Sequence, residues 1–171
     1  MSASDAALLV LRVGIGVIFA AHGAQKLFGW WSGPGFAGWQ GAMARMGYRP
    51  TAVFAAVSSL AEFAGGLALA VGLLTPIAAM ALVGQSIVII GTAHWRSGFF
   101  NRNNGYEFPL ALLTGVVAVL LAGPGSLSLD AEIGVAPAPE MRFALLVVAI
   151  AGGLATLALP RLADDQPTAR A

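Results

Sequence analysis

The chain has 171 residues, of which 58% are hydrophobic and 10% are charged, with a formal net charge of +1 at pH 7. A soluble domain carries about 25% charged residues, so this composition excludes an ordinary soluble protein and indicates a membrane protein. No basic cluster suited to nucleic acid is present. The absence of cysteine excludes disulfides, thiolate metal sites and thiol–disulfide exchange by this chain itself.

Five apolar stretches predict membrane-spanning helices, because a span needs about 20 mostly apolar residues. Their expected ranges are 6–28, 51–74, 76–92, 106–121 and 141–159. The first stretch lacks the basic start of a signal peptide, so we interpret it as a retained helix. In the first loop, residues 36–46 predict a short amphipathic helix lying on the membrane.

These stretches predict an all-α, polytopic membrane protein. Residues 1–134 should form a four-helix antiparallel bundle, residues 135–160 an additional C-terminal transmembrane helix that ends at Pro160, and residues 161–171 a disordered polar tail. Lys and Arg collect in the first loop (residues 32–49), in the third loop (residues 94–105) and in the tail. The positive-inside rule therefore predicts that loops 1 and 3 are cytoplasmic in a bacterial inner membrane.

Ionisable residues occur within the apolar stretches themselves. Arg12, His22 and Lys26 lie in the first stretch, and Glu62 lies near the middle of the second. A charge at bilayer depth costs about 2.5–3.5 kcal/mol on insertion scales, so such residues usually pair and face a bundle interior. Depth counting at about 1.5 Å per residue predicts that Glu62 meets His22, with Lys26 just above them. Arg12 should extend to the opposite interface as an anchor.

Helices 3 and 4 bring further polar residues to the same half of the bundle. The candidates for ligand binding or proton relay are His22, Lys26, Glu62, His94, Tyr106 and Glu107. Each has a structural alternative: an ion pair that fixes helix register, a loop histidine, a helix cap or an aromatic belt. No catalytic residue is assigned, and the spacing assigns no metal site.

Four segments resemble the DoxX family of small bacterial membrane proteins. They are RVGIGVIFAAHGAQKLFG at 12–29, EFAGGLALAVGLLTP at 62–76, GFFNRNNGYE at 98–107 and GPGSLSLD at 123–130. The resemblance covers about residues 7–134, and the fifth helix lies beyond the family's four-helix core.

The resemblance implies a role in a membrane-associated redox complex that handles thiosulfate, thiols or oxidative stress. A membrane quinone is the implied cofactor, and the chain would be a quinone-interacting or scaffold subunit rather than an autonomous enzyme. Its expected partners are the lipid bilayer and a redox protein that supplies electrons, and a homo-oligomer is compatible with the sequence. Two alternatives stay open: an ion or metabolite transporter that uses the His-Glu-Lys cluster, and a purely structural membrane protein.

Overall fold

The computed structural model describes the backbone of residues 2–164 and the side chains of residues 2–160, and this range is helical without strands. The helices are α1 (Ala3–Phe28), α2 (Gly35–Arg45), α3 (Thr51–Val71), α4 (Thr75–Ile89), α5 (Glu107–Ala122), α6 (Leu129–Glu132) and α7 (Pro139–Asp164). After α4 the chain continues through a π turn (Ile90–His94) and a 3-10 turn (Trp95–Ser97).

In this range, four helical segments are long and apolar enough to cross a membrane, and α5 is apolar but shorter, with 16 residues. The four are Ala3–Phe28, Thr51–Val71, Thr75–Ser97 and Pro139–Pro160. The all-α, polytopic fold predicted from the sequence is therefore confirmed.

Helices α1 and α3 form the most extensive helix pair in the bundle, and their backbones pack closely. A Cβ on Gly16 would lie 2.5 Å from the carbonyl oxygen of Gly66, and a Cβ on Gly23 would overlap the backbone of Phe63. Both glycines are required here because no larger residue allows the two backbones to approach so closely. The register of this contact sets Glu62 of α3 beside the last two turns of α1.

Helix α4 packs on α3 and α5, and α7 packs mainly on α4. The common core is formed by apolar side chains that are fully buried, among them Leu69, Leu82 and Val116. Most side chains of α7 are exposed, as expected for a peripheral helix that faces lipid.

Arg12 is not an interface anchor, and that prediction was wrong. Its side chain is fully buried, and its guanidinium donates hydrogen bonds to the carbonyl oxygens of Leu69, Ala70 and Leu127. The physical reason is that the carbonyls at the C-terminal end of a helix lack intrahelical donors and attract a cation. Gly72, with φ 71°, ends α3, and a Cβ at this position would overlap the Arg12 guanidinium.

The turn between α3 and α4 is held by Asp130 of α6. Its carboxylate accepts hydrogen bonds from the backbone N–H groups of Leu74 and Thr75, each at 2.7 Å. Those N–H groups belong to the start of α4, where an acceptor is otherwise missing. Arg12 and Asp130 therefore fix the end of the bundle opposite the first loop.

The C-terminal helix is longer than predicted. Pro160 does not end α7, which continues to Asp164. Pro160 lies against the loop after α2, where a Cβ on Gly47 would be 3.0 Å from the proline Cβ. Proline removes one backbone hydrogen bond but does not prevent the helix from continuing when its ring packs against a neighbour. The part of the predicted disordered tail from residue 165 onwards lies outside the described residues.

Candidate functional site

A cavity of about 500 Å³ lies between the helices on the side of the first and third loops. Helices α1, α3, α4 and α5 form its walls, and α2 covers it. Its lining is mainly apolar, with a few polar side chains placed together on α1, α3 and α4. Volume and lining are typical of sites for small molecules, which usually measure about 300–1,000 Å³.

The polar centre of the cavity is an ion pair between Lys26 Nζ and Glu62 Oε1. Glu62 is fully buried, and the Lys26 side chain is 14% exposed. Gln85 of α4 donates from Nε2 to Glu62 Oε1 at 2.8 Å and to Ser58 Oγ at 2.7 Å. Three helices therefore converge on one carboxylate oxygen, while the other oxygen of Glu62 has no hydrogen-bond partner among the described residues.

Two further cavity residues carry buried polar atoms without a partner in the described part of the chain, Trp39 Nε1 and Tyr48 Oη. Buried polar groups are normally hydrogen-bonded, so unpaired ones beside a cavity need an explanation. Burial raises the pKa of the Tyr48 phenol, which keeps its proton available for donation.

Helix α2 is present as predicted, but its apolar face packs on the protein. Trp39, Met43 and Met46 follow one another at helical spacing, and all three line the cavity. The Trp39 ring lies 4.3 Å from Lys26 Nζ, a cation–π contact between α2 and α1. The i, i+4, i+7 pattern in the first loop is the sequence signal that would have identified these residues as part of the site.

His22 does not meet Glu62 as predicted from depth. It lines the same cavity, but its side chain is exposed, and no hydrogen bond or ion pair joins the two in the described residues. The face of α1 that packs on α3 is centred on Gly16 and Gly23, and His22 lies about 100° further around the helix. Lys26 reaches Glu62 because its side chain is longer.

The three remaining candidates lie near the third loop. His94 lines the cavity, and its Nδ1 is 2.8 Å from the carbonyl oxygen of Asn104. Tyr106 and Glu107 are not among the lining residues. Tyr106 stacks on Trp95 at 5.3 Å between ring centroids, and the Glu107 carboxylate accepts from the Asn101 N–H at 2.9 Å. Both residues thus make contacts that stabilise the loop.

Fold and site together define a polytopic helical membrane protein with a buried ion pair beside an apolar cavity between its helices. The DoxX family model matches residues 7–95, which is more than half of the chain. The chain therefore belongs to the DoxX family. A protein of Mycobacterium tuberculosis described as an uncharacterized membrane protein is 26% identical over 137 residues, covering 74% of this chain and 80% of that protein. No solved structure matches the chain.

Proposed function

We propose that this protein binds the head group of a membrane quinone in the interhelical cavity, as a subunit that serves an oxidoreductase. The observation that carries the proposal is the buried Lys26–Glu62 pair at one wall of a largely apolar cavity of about 500 Å³. A quinone requires an apolar slot for its ring together with hydrogen-bond donors for its carbonyl oxygens. The cavity offers both.

The donors and the proton-carrying groups belong to different helices. Trp39 and Tyr48 carry donor atoms that are unpaired among the described residues, and both residues cover the cavity from the side of the first loop. Glu62 has one carboxylate oxygen without a partner in the part of the chain that the structure describes, so it is the candidate for passing protons to a reduced quinone. Reduction of a quinone to a quinol takes two electrons and two protons, and in this proposal a partner protein supplies the electrons.

The partner would bind on the side of loops 1 and 3, which we place in the cytoplasm on the basis of their Lys and Arg residues. Arg45, Arg96 and Arg102 are exposed on this side, close to the end of the bundle that contains the cavity. A bacterial inner membrane is the location that fits this orientation. An ion or metabolite transporter that uses the same buried pair is the competing function.

The test is quinone content and quinone binding. The protein is purified in mild detergent, its bound ubiquinone and menaquinone are extracted and quantified, and binding is titrated for wild type and Glu62→Gln. Glu140→Gln, an exposed glutamate at the start of α7, is the matched control. We expect near-stoichiometric quinone in wild type and control, and an affinity at least about tenfold lower in Glu62→Gln. The neutral side chain no longer holds the Lys26 ammonium in place, and a hydrogen bond from such a charged donor to the quinone contributes about 1.5–3 kcal/mol.

Wild-type protein that is folded but neither retains nor binds quinone would refute the proposal. Flux of ions or metabolites into liposomes containing the isolated protein would then support the transporter.

A further inference from the structure

His94 reaches the cavity because α4 does not end as a regular helix. Gln85, whose amide donates to Glu62, precedes His94 by nine residues, which correspond to two and a half turns of an α-helix. A regular helix would therefore place Gln85 and His94 on opposite sides. The π turn (Ile90–His94) contains one residue more than an α-helical turn, which rotates His94 by about 100° relative to a regular helix. As a result, both residues line the same cavity.

The third loop fixes the position of the hydrogen on the His94 ring. The Nδ1 atom of His94 lies 2.8 Å from the backbone carbonyl oxygen of Asn104. A carbonyl oxygen accepts hydrogen bonds and never donates one, so Nδ1 carries the hydrogen and donates it to Asn104. In the neutral imidazole the other nitrogen, Nε2, then has a lone pair and is a hydrogen-bond acceptor.

The Nε2 edge of the His94 ring is the edge on the cavity side. The two ring nitrogens point in widely different directions, and Asn104, which binds the Nδ1 edge, does not line the cavity. His94 itself lines the cavity, so its ring presents the edge that carries Nε2. Among the described side chains, no hydrogen bond involves this nitrogen. The cavity therefore has an unused neutral acceptor on the side of the third loop.

From this geometry we infer that His94 Nε2 accepts a hydrogen bond from a hydroxyl group of the molecule bound in the cavity. The inference rests on the proposed function and specifies the redox form of its ligand. A quinol has hydroxyl groups and donates this bond, whereas a quinone has carbonyl oxygens in their place and has no hydrogen to donate. His94 therefore favours the quinol over the quinone, and it is a specificity-determining residue of the site.

Two substitutions separate this role from a role in holding the third loop. In His94→Asn the amide nitrogen can take the place of Nδ1 and still donate to the Asn104 carbonyl, but no group replaces Nε2. In His94→Gln the longer side chain can bring its amide oxygen, an acceptor, close to the position of Nε2, while the donor at Nδ1 is lost. A purely structural role would make His94→Gln the more damaging change, whereas the inferred role makes it His94→Asn.

The experiment measures the dissociation constants of short-tailed ubiquinol and ubiquinone for wild type and both variants. Binding is titrated in mild detergent under argon at about pH 8, where an ordinary imidazole is neutral. Asn103→Ala, at an exposed position of the same loop, is the matched control and should bind both forms like wild type. We expect His94→Asn to weaken quinol binding about three- to tenfold, the effect of one hydrogen bond between neutral groups, and to change quinone binding by less than about twofold. His94→Gln should retain most of the preference for quinol.

Nitrogen NMR of the imidazole rings is an independent readout on wild type. The sequence contains two histidines, His22 and His94, so protein labelled with nitrogen-15 histidine and purified without a histidine tag gives two sets of ring signals. The set that is missing in His94→Asn belongs to His94. We expect its hydrogen on Nδ1, and we expect the Nε2 signal to shift when quinol is added.

The outcomes distinguish the inference from the proposed function. If wild type binds both forms, but His94→Asn leaves the ratio of quinol to quinone affinity unchanged or the His94 hydrogen is on Nε2, the inference is wrong and the proposed function stands. If folded wild type binds neither form, both are refuted.

Discussion

Removal of Lys26 should destabilise the protein strongly, and removal of both partners of the ion pair should not. Glu62 is 0% exposed and Lys26 is 14% exposed, so both charges depend on each other rather than on water. In Lys26→Met the hydrogen bond from Gln85 is the one that the Glu62 carboxylate keeps within the described range, residues 2–160. Breaking a buried pair in this way costs about 3–5 kcal/mol of unfolding free energy.

The double variant Lys26→Met, Glu62→Gln should recover most of that loss. Its glutamine side chain can still accept from Gln85, and no uncompensated charge remains. Replacing a whole buried ion pair by neutral residues of similar volume is often neutral or stabilising. We therefore expect the free energy of unfolding of the double variant to lie within about 1 kcal/mol of that of wild type. It should nevertheless fail to bind quinone, because the charged site is gone.

The assay is reversible unfolding by SDS in mixed micelles, followed by tryptophan fluorescence and circular dichroism. Arg102→Met, at an exposed loop cation, is the control and should change the unfolding free energy by less than about 0.5 kcal/mol. A double variant that is destabilised by the sum of the two single changes would refute the reasoning that the two charges compensate each other. A stable double variant with wild-type quinone binding would show that the pair only fixes packing.

Three further predictions concern stability, measured by the same unfolding assay. Gly23→Ala should lower the free energy of unfolding by about 1–3 kcal/mol, because the added Cβ overlaps the Phe63 backbone. Gly14→Ala, at a position with open space around it, should raise the free energy of unfolding by about 0.5–1 kcal/mol. Equal effects of the two variants would contradict the close packing of α1 on α3. Arg12→Met should lower the free energy of unfolding by about 3 kcal/mol, because it removes the hydrogen bonds from the guanidinium to backbone carbonyls. Arg12→Lys should restore little of this stability, since an ammonium cannot donate to several carbonyls in the same geometry. Full recovery by lysine would show that only the charge matters. Asp130→Ala should lower the free energy of unfolding by about 1–2 kcal/mol, because the N-terminus of α4 loses its cap. An unchanged midpoint of SDS unfolding would argue against that cap.

The helices could be predicted from the sequence because the length of an apolar stretch is a local property. The spans of α1 and α3 were found to within a few residues at each end, and the glycines that bring them together were visible in the first and second stretches. The continuation of α7 through Pro160 was not predictable, since the proline ring is accommodated by the distant loop at Gly47.

The site was only partly predictable because depth along a helix says little about rotation around it. Lys26 and Glu62 form the ion pair that their depths suggested, but His22, at nearly the same depth, lines the cavity without contacting Glu62. Arg12 was misassigned for a different reason. Its partners are backbone carbonyls, which every residue carries and which therefore leave no mark on the sequence.

The buried charge clusters at Arg12 and at Glu62 differ in the kind of group that binds them: backbone carbonyls bind Arg12, and side chains bind Glu62. Arg12 is bound by backbone carbonyls at the end of α3 and near α6, and these cannot move without unfolding part of the bundle. Glu62 is bound by the side chains of Lys26 and Gln85, which can change rotamer beside an open cavity. Only the second cluster can exchange a protein partner for a ligand at small cost. For that reason the binding that we propose belongs at the end of the bundle covered by α2, while the opposite end has the contacts of a structural anchor.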